Sequence, residues 1–340
     1  MPELGRYTFS GLSDWLPKAT SKTWDKDYIT LKIPFKVEDI LDFCVRESRI
    51  HVMLKVFSEF TSGLGDGARI SKSVVYVDVE TPLPESLIWY YQTGIRLENL
   101  FSLLTGASQA LETFFVYRGE ESAHVNFRRK KYVRPFDPRE SVWCTSTQLA
   151  SSIAHWLSES REFRRVESLV LGVVRKGKLF IETEFLSLAQ ALEGVHRVTE
   201  RISVADRAAF RQVRKKIVAL LKQENVDAAL SKRICDSMSH VNDPAFASRL
   251  TALCQRIGGT LLQRMGIDPA HFVADVVATR NFYTHTGSKA RQKKIPDSGL
   301  ELFLLNQKMR SLLRGVLLLH LGLPEGQVSQ VVEREATRYH

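Results

Sequence analysis

One stretch of the chain, ATRNFYTHTGSKARQKK (278–294), carries residue types that could act on a phosphodiester. Arg280 and His285 stand five positions apart, and Asn281 lies about one helical turn before His285. A guanidinium is a permanent cation that matches phosphoryl oxygens, an imidazole transfers protons near neutral pH, and an amide can orient either group. Four cations with no acid among them follow and could track a nucleic-acid backbone. They are Lys289, Arg291, Lys293 and Lys294.

The spacing of Arg280 and His285 is weak evidence by itself, because a basic chain with nine histidines forms such pairs by chance; Arg46 and His51 have the same gap. The surrounding residues are more informative. Gly287 is the residue type that commonly follows a helix end, so His285 is expected near a helix C-terminus, where the dipole favours imidazolium. In a straight helix, five residues place the two side chains about 140° apart. They converge only if the helix ends between them or if two copies of the site face each other in a dimer.

Each part of this segment also has an ordinary interpretation. An arginine near a helix end is usually solvated, a histidine there is often only a partner of the helix dipole, and a cationic loop is usually hydrated. Two further basic clusters lie at 126–134 and 211–216. The first is interpreted as a solvated edge strand, with contact to RNA or to a trigger as the alternative, and the second as the outer face of a helix. Residue types and spacing alone therefore leave both a catalytic pair and an ordinary helix end open.

Composition predicts a globular protein whose basic surface serves either an anionic partner or solubility. The 340 residues carry a formal net charge of +10, and 44% of them are hydrophobic. The four cysteines are widely spaced without a Cys-x-x-Cys pair, so we predict reduced thiols and neither a zinc framework nor disulfides. No secretory signal is recognisable, and the apolar run 315–323 is too short to span a membrane. We therefore expect a cytoplasmic protein with no membrane partner.

The front half of the chain, residues 1–146, has the pattern of strands and turns. Short runs of β-branched and aromatic residues are separated by Gly, Pro, Asp and Ser. The glycine-rich segment 61–71 lacks the phosphate-loop pattern, so a hairpin loop is predicted there. A short helix is predicted over 96–106. The predicted strands are 28–35, 51–57, 73–79, 113–119 and 124–133.

From residue 147 onward the apolar period becomes helical. Phe163, Val166 and Val170 fall on one helical face of a connecting segment, 147–178. Short connections between the later helices favour an antiparallel bundle. The predicted fold class is therefore α+β, with a β-rich N-terminal domain followed by an all-α bundle. The later predicted helices are 179–200, 206–224, 226–241, 244–259, 268–285 and 298–322.

Two segments of the back half resemble one known family. RNFYTH (280–285), at the end of an apolar helix, resembles the R-N-x-x-T-H signature of ApeA-like HEPN domains, and FLSLAQALEGVHR (185–197) is similar to their opening helix. The spacing of the two segments and the leucine-rich closing helix fit as well, and the front half resembles the companion N-terminal domain in general character. We expect a β-rich N-terminal sensor or regulatory domain, a connecting segment, a HEPN bundle and a C-terminal tail, over 1–146, 147–178, 179–325 and 326–340 respectively.

The resemblance implies a metal-independent endoribonuclease that acts in anti-phage defence by abortive infection, as a homodimer through the HEPN domain and without a cofactor. It implies that Arg280 and His285 are the catalytic pair and that Asn281 is the polar second position of the motif. RNA supplies its own 2′-hydroxyl nucleophile, so proton transfer and phosphorane stabilisation would suffice and would leave a 2′,3′-cyclic phosphate. The implied partners are an RNA substrate, either transfer or messenger RNA, and a phage-derived trigger.

Two alternatives to the enzyme stay open. One is a non-catalytic HEPN module that binds RNA or a partner protein. The other is the HEPN partner of a nucleotidyltransferase in a two-gene toxin system, against which the fused front half speaks. The intact Arg280, Asn281 and His285 favour the enzyme, because a pure binder has no need for His285. Glu184 and Glu193 could approach the same cleft from the opening helix, although ordinary surface or inter-helix roles are at least equally expected.

Overall fold

The computed structural model of the chain divides into two compact units. The first comprises Met1–Phe180 together with Leu313–His340, and the second comprises Ile181–Leu312. The residues that the structure describes are 1–10, 12–15, 21–25, 28–32, 38–45, 50–62, 68–127, 138–174, 179–200, 202–238, 241–284, 295–296 and 298–337.

The first unit is built on an antiparallel β-sheet. The strands of this unit are β1 Leu4–Phe9, β2 Ser21–Asp25, β3 Tyr28–Lys32, β4 Glu38–Val45, β5 Ile50–Ser62, β6 Ala68–Glu80, β7 Leu111–Arg118 and β8 Glu121–His124. Within the described residues, six of these strands form one sheet in the order β4-β5-β6-β1-β7-β8, and β2 and β3 form a separate pair. Tyr7 of the inner strand β1 lies opposite Val77 and Phe114. All three are buried, and the rings of Tyr7 and Phe114 stack with centroids 5.0 Å apart, so the core centres on β1.

The glycine-rich segment 61–71 belongs to a hairpin, as predicted. β5 and β6 pair antiparallel as far as Ser62, which lies opposite Ala68. Residues 63–67 between them lie outside the described part of the chain. A strand rather than a helix follows the glycines, which rules out the strand–loop–helix order of a phosphate loop.

The strand predicted over 124–133 is wrong in its bounds. β8 covers Glu121–His124 and pairs with β7 through Arg118 opposite Glu121. Gly119 in the turn has a φ of 55°, a left-handed value that glycine adopts without strain and that allows so tight a reversal. The pairing therefore starts earlier than the β-branched pattern indicated, and residues 128–133 lie outside the described part.

Helix α2 (Leu87–Thr105) packs on the sheet. It begins well before the predicted segment because Ser86 caps it, with Oγ accepting a backbone hydrogen bond of 3.2 Å from the first turn. It ends as predicted at Gly106, which has a left-handed φ of 69°. Gly94 permits the close approach to the sheet, since a Cβ there would lie 2.8 Å from Cε1 of Tyr7.

The helices after residue 145 agree with the predicted helical half. Phe163, Val166 and Val170 are buried, as their spacing predicted. None of the described helices combines the length and the apolar composition that a membrane span requires. These helices are α3 Ser146–Ser158, α4 Arg161–Val174, α5 Ile181–Glu200, α6 Arg207–Gln223, α7 Ala228–Met238, α8 Phe246–Ile257, α9 Gly259–Arg264, α10 Pro269–Thr284, α11 Gly299–His320 and α12 Glu325–Thr337; α1 (Leu12–Trp15) precedes them.

Two of these helices, α9 and α12, were not predicted. Most of α12 falls in the segment expected to be a C-terminal tail. It is helical there because Val328, Val331 and Val332 share one face and are buried.

Arg314, near the end of α11, forms hydrogen bonds with the backbone of other segments of the first unit. This side chain is 3% exposed. It donates hydrogen bonds to the carbonyl oxygens of Leu103 (3.0 Å), Leu104 (3.3 Å) and Glu140 (2.7 Å). A Cβ at Gly106 would lie 2.9 Å from Nη1 of Arg314, so the glycine that ends α2 also makes room for the guanidinium.

Candidate functional site

Helix α10 positions the arginine and the asparagine that the sequence singled out. It begins where predicted, with Asp268 accepting a backbone hydrogen bond of 2.9 Å from the first turn and Pro269 in the first helical position. Its buried face is formed by Phe272, Val276 and Thr279. Arg280 directly follows this face, so it lies at its edge with a side chain that is 36% exposed.

The guanidinium of Arg280 is held by two neighbouring helices. Its Cζ lies 5.4 Å from the ring centroid of Phe246 on α8, a cation–π distance. Its Nη2 lies 3.8 Å from Oε2 of Glu193 on α5. Glu193 also accepts a hydrogen bond of 3.2 Å from Arg197, so two guanidinium groups share one carboxylate. This arrangement retains positive charge and is suited to an anionic ligand rather than a metal cation.

The two segments that carried the family resemblance meet in the second unit. Phe185 in the opening helix α5 is fully buried. The centroid of its ring lies 6.1 Å from the centroid of the Tyr283 ring on α10. Burial, and then the nearby Glu182 carboxylate, raise the pKa of the Tyr283 hydroxyl, which therefore stays protonated at neutral pH. Together with the contact between Glu193 and Arg280, this pairing fixes α10 against α5.

Of the two glutamates considered from sequence, Glu193 is the one that contacts Arg280. Glu184 forms an ion pair with Arg310 on α11, and Asn306 on the same helix donates a hydrogen bond of 3.0 Å to the carbonyl oxygen of Ile181. Glu184 therefore has the inter-helix role that was the alternative interpretation.

Of the other predicted site residues, the structure describes Asn281 but not His285 or the four cations that follow it. Asn281 is partly buried beside Arg280. Thr284, the last residue of α10, donates a hydrogen bond of 2.8 Å to the carbonyl oxygen of Arg280. His285 lies outside the described residues, and so do the four cations that follow it. The convergence of Arg280 and His285 thus stays a prediction. The cations concerned are Lys289, Arg291, Lys293 and Lys294.

Phe246 and a buried pair, Arg249 of the same helix with His196, were not predicted from the sequence. Arg249 on α8 and His196 on α5 are 3% and 1% exposed, with Nη1 and Nδ1 3.4 Å apart. Arg249 also donates a hydrogen bond of 2.9 Å to the carbonyl oxygen of Pro244. Burial, and then the Arg249 charge, lower the pKa of His196, so its imidazole is neutral. Neither Phe246 nor this pair has a sequence signal, because the contacts join distant positions.

A second basic surface lies on α6. The helix contains six cations and no acidic residue, and every one of these cations is exposed. The interpretation of 211–216 as an outer helix face is therefore confirmed, whereas most of the 126–134 cluster lies outside the described residues. The α6 cations are Arg207, Arg211, Arg214, Lys215, Lys216 and Lys222.

Comparison with known families agrees with this organisation. The family model described as Apea-like HEPN matches residues 186–327. The model described as ApeA N-terminal domain 1 matches residues 4–149. No curated protein and no solved structure matches the chain. HEPN domains are generally ribonuclease-like and commonly dimerise, and ApeA-like members suggest a nuclease-type function in anti-phage defence. With the two matches in the expected order and the two motif segments in contact, the chain is an ApeA-like HEPN protein with an ApeA N-terminal domain.

Proposed function

We propose that this protein is a metal-independent endoribonuclease that acts in anti-phage defence by abortive infection. The observation that carries the proposal is the setting of Arg280. Its guanidinium is partly exposed at the end of α10, braced by Phe246 and by the shared carboxylate of Glu193. A ribose-phosphate backbone offers the anionic oxygens that such a braced and accessible cation can bind.

The chemistry follows from the residue types. The 2′-hydroxyl oxygen attacks phosphorus, and the bond from phosphorus to the 5′ oxygen breaks. A base removes the 2′ proton and an acid protonates the departing 5′ oxygen, roles that suit an imidazole such as His285. Arg280 stabilises the charge that develops on the phosphoryl oxygens, and Asn281 orients the phosphate or the imidazole. The products are a 2′,3′-cyclic phosphate and a 5′-hydroxyl.

Two copies of the chain complete the site in this proposal. The apolar side chains of Val213, Leu220 and Leu230 on α6 and α7 are 51%, 53% and 51% exposed. Exposed apolar side chains on neighbouring helices are a common mark of a protein interface. A second copy is the partner that a composite HEPN site requires, while the cations of α6 suit the RNA backbone. Transfer and messenger RNA are both candidate substrates, and a phage component sensed by the front half is the candidate trigger.

A non-catalytic HEPN module that binds RNA or a partner protein is the second candidate function. The Glu193–Arg280 contact favours it in one respect, because a carboxylate facing the arginine tempers the positive charge that catalysis would use. A binding module needs Arg280 as much as an enzyme does, but it does not need His285.

The test is cleavage of total cellular RNA by the purified chain in EDTA, with sequencing of the 5′ ends to locate the cuts and chemical identification of the 3′ ends. We expect 2′,3′-cyclic phosphate ends, a dimeric mass by light scattering, and a loss of at least about 100-fold in rate for Arg280→Ala and for His285→Ala. His271→Ala, in the first turn of the same helix, and Arg165→Ala, exposed on α4, are the matched controls. Cleavage at the parental rate by both site variants, with folding verified by circular dichroism, would reject the assignment.

A further inference from the structure

Two histidines and a glutamate converge in the first unit, outside the site just described. Nε2 of His155 lies 3.1 Å from Oε1 of Glu159, and Nε2 of His320 lies 2.5 Å from the same oxygen. The potential ligand atoms of the three residues all lie within 4.8 Å of one another. His155 and Glu159 fall between the two ranges that match the families, and His320 is the last residue of α11.

Local structure brings the three groups together. His155 and Glu159 are four residues apart at the end of α3, so they share one side of the helix. The ring of Phe163 stacks on that of His320 with centroids 5.4 Å apart, and Trp156 packs edge-on against Phe163 at the same distance. The aromatic packing fixes the orientation of the His320 ring before any ligand binds, which lowers the conformational cost of binding.

The three side chains differ in their exposure to solvent. Those of Glu159 and His320 are only 14% and 18% exposed, whereas that of His155 is 40% exposed. The cluster is thus a largely buried carboxyl oxygen between two imidazole nitrogens, with solvent access on the His155 side.

We propose that His155, Glu159 and His320 bind a zinc ion, with water as the fourth ligand. Two imidazoles and one carboxylate form an established zinc ligand set, and imidazole favours zinc over magnesium or calcium. Zinc–ligand bonds of about 2.0–2.1 Å in a tetrahedron place the ligand atoms about 3.3–3.4 Å apart. The two contacts with Glu159, at 3.1 and 2.5 Å, lie within about 1 Å of that separation, and the two histidine nitrogens, which are at most 4.8 Å apart, lie within about 1.5 Å of it.

The bound ion would cross-link the last residue of α11 to the C-terminal end of α3 within the first unit. This role is structural and does not rest on the proposed ribonuclease activity, since Arg280 belongs to the second unit. No metal site was predicted, because the widely spaced cysteines do not form a zinc framework. The His-x-x-x-Glu pair at 155–159 was a detectable signal, but its third member is 161 positions away from Glu159.

The test measures metal binding by the full-length chain directly. Protein purified without chelator is analysed for zinc by mass spectrometry, and EDTA-treated protein is titrated with Zn²⁺ and Co²⁺. We expect one zinc ion per chain, a visible absorption spectrum of tetrahedral Co²⁺, and a melting temperature that rises by at least about 3 °C with zinc. His155→Gln and Glu159→Gln should lose all three signals. The matched control is His271→Gln, because His271 is an exposed histidine that contacts a single carboxylate, Asp268, at 3.0 Å.

Two results would overturn the proposal. The first is a wild-type chain that takes up no zinc and melts at the same temperature with and without EDTA, which would make the cluster a hydrogen-bonded network only. The second is stoichiometric zinc that both variants retain, which would place the ion elsewhere. His155→Gln is the milder variant because its side chain is the most exposed of the three, and circular dichroism verifies that it folds.

Discussion

Oε2 of Glu193 lies 3.8 Å from Nη2 of Arg280, so the arginine that would bind the scissile phosphate already faces a carboxylate. The distance is at the outer limit of an ion pair, and both side chains are partly exposed. An anionic ligand can therefore compete with Glu193 for Arg280 at low cost.

Glu193→Gln is expected to strengthen RNA binding. The amide removes a charge that competes with phosphate, and an exposed ion pair contributes at most about 1 kcal/mol, so the Kd should fall by about 2- to 5-fold. Fluorescence anisotropy in a His285→Ala background measures binding without cleavage. Glu325→Gln, which removes an exposed charge at the start of α12, should leave the Kd unchanged, and weaker binding by the Glu193 variant would contradict the prediction.

The exposed lysines of α6 are expected to contact the RNA backbone without base preference. Lys215→Ala combined with Lys216→Ala should weaken binding to all RNA sequences alike and reduce the slope of log K against log salt by about 1.4–2. A salt titration from low to physiological ionic strength measures this slope. Arg165→Ala on α4 is the control, and an unchanged slope for the double variant would show that α6 lies outside the RNA interface.

The pH dependence of stability should reveal the state of Glu159. Its folded pKa is lowered from 4.5 to about 2, so its ionised form stabilises the fold above pH 4.5, and that contribution is lost as the pH falls towards 2. In EDTA, the melting temperature of the wild type should exceed that of Glu159→Gln at neutral pH. The difference should shrink as the pH falls from 4.5 towards 2, because over this range the unfolded chain binds a proton at Glu159 that the folded chain does not. A difference that stays constant down to pH 2.5 would refute this.

Gly94→Ala is expected to destabilise the first unit by about 1–3 kcal/mol, because the new methyl group meets the side of a buried ring. Its Cβ would lie 2.8 and 2.9 Å from Cε1 and Cδ1 of Tyr7. Gly172→Ala on the exposed side of α4 meets no atom within 4 Å and should stabilise by about 0.5–1 kcal/mol through helix propensity. Thermal denaturation of both variants measures the contrast, and equal effects would disprove the packing argument.

Much of the helical half could be predicted because its signals are local. Asp268 and Pro269 mark the start of α10, and a 3.6-residue period marks the buried faces. The strand bounds were less predictable, since the turn at Gly119 sets the pairing of β8, and periodicity alone does not report a turn. α12 was missed because its apolar face is only three valines long.

The candidate site was predictable in composition but not in geometry. RNFYTH (280–285) supplied the residue types, and the segment at 185–197 supplied its structural partner. The cation–π contact of Phe246 with Arg280 and the approach of His320 to Glu159 join positions far apart in the chain. Such contacts depend on tertiary packing, which no local pattern encodes.

The three carbonyl oxygens that accept hydrogen bonds from Arg314 have a consequence for how this family can diversify. Leu103 and Glu140 belong to the segment that matches the N-terminal domain, while Arg314 belongs to the segment that matches the HEPN domain. Because the acceptors are backbone carbonyl oxygens, which every residue carries, a front half exchanged between relatives keeps them only if its backbone follows the same path at 103–104 and 140 and leaves room at Gly106. A front half that departs from this path would leave a buried guanidinium without acceptors and would destabilise the fold.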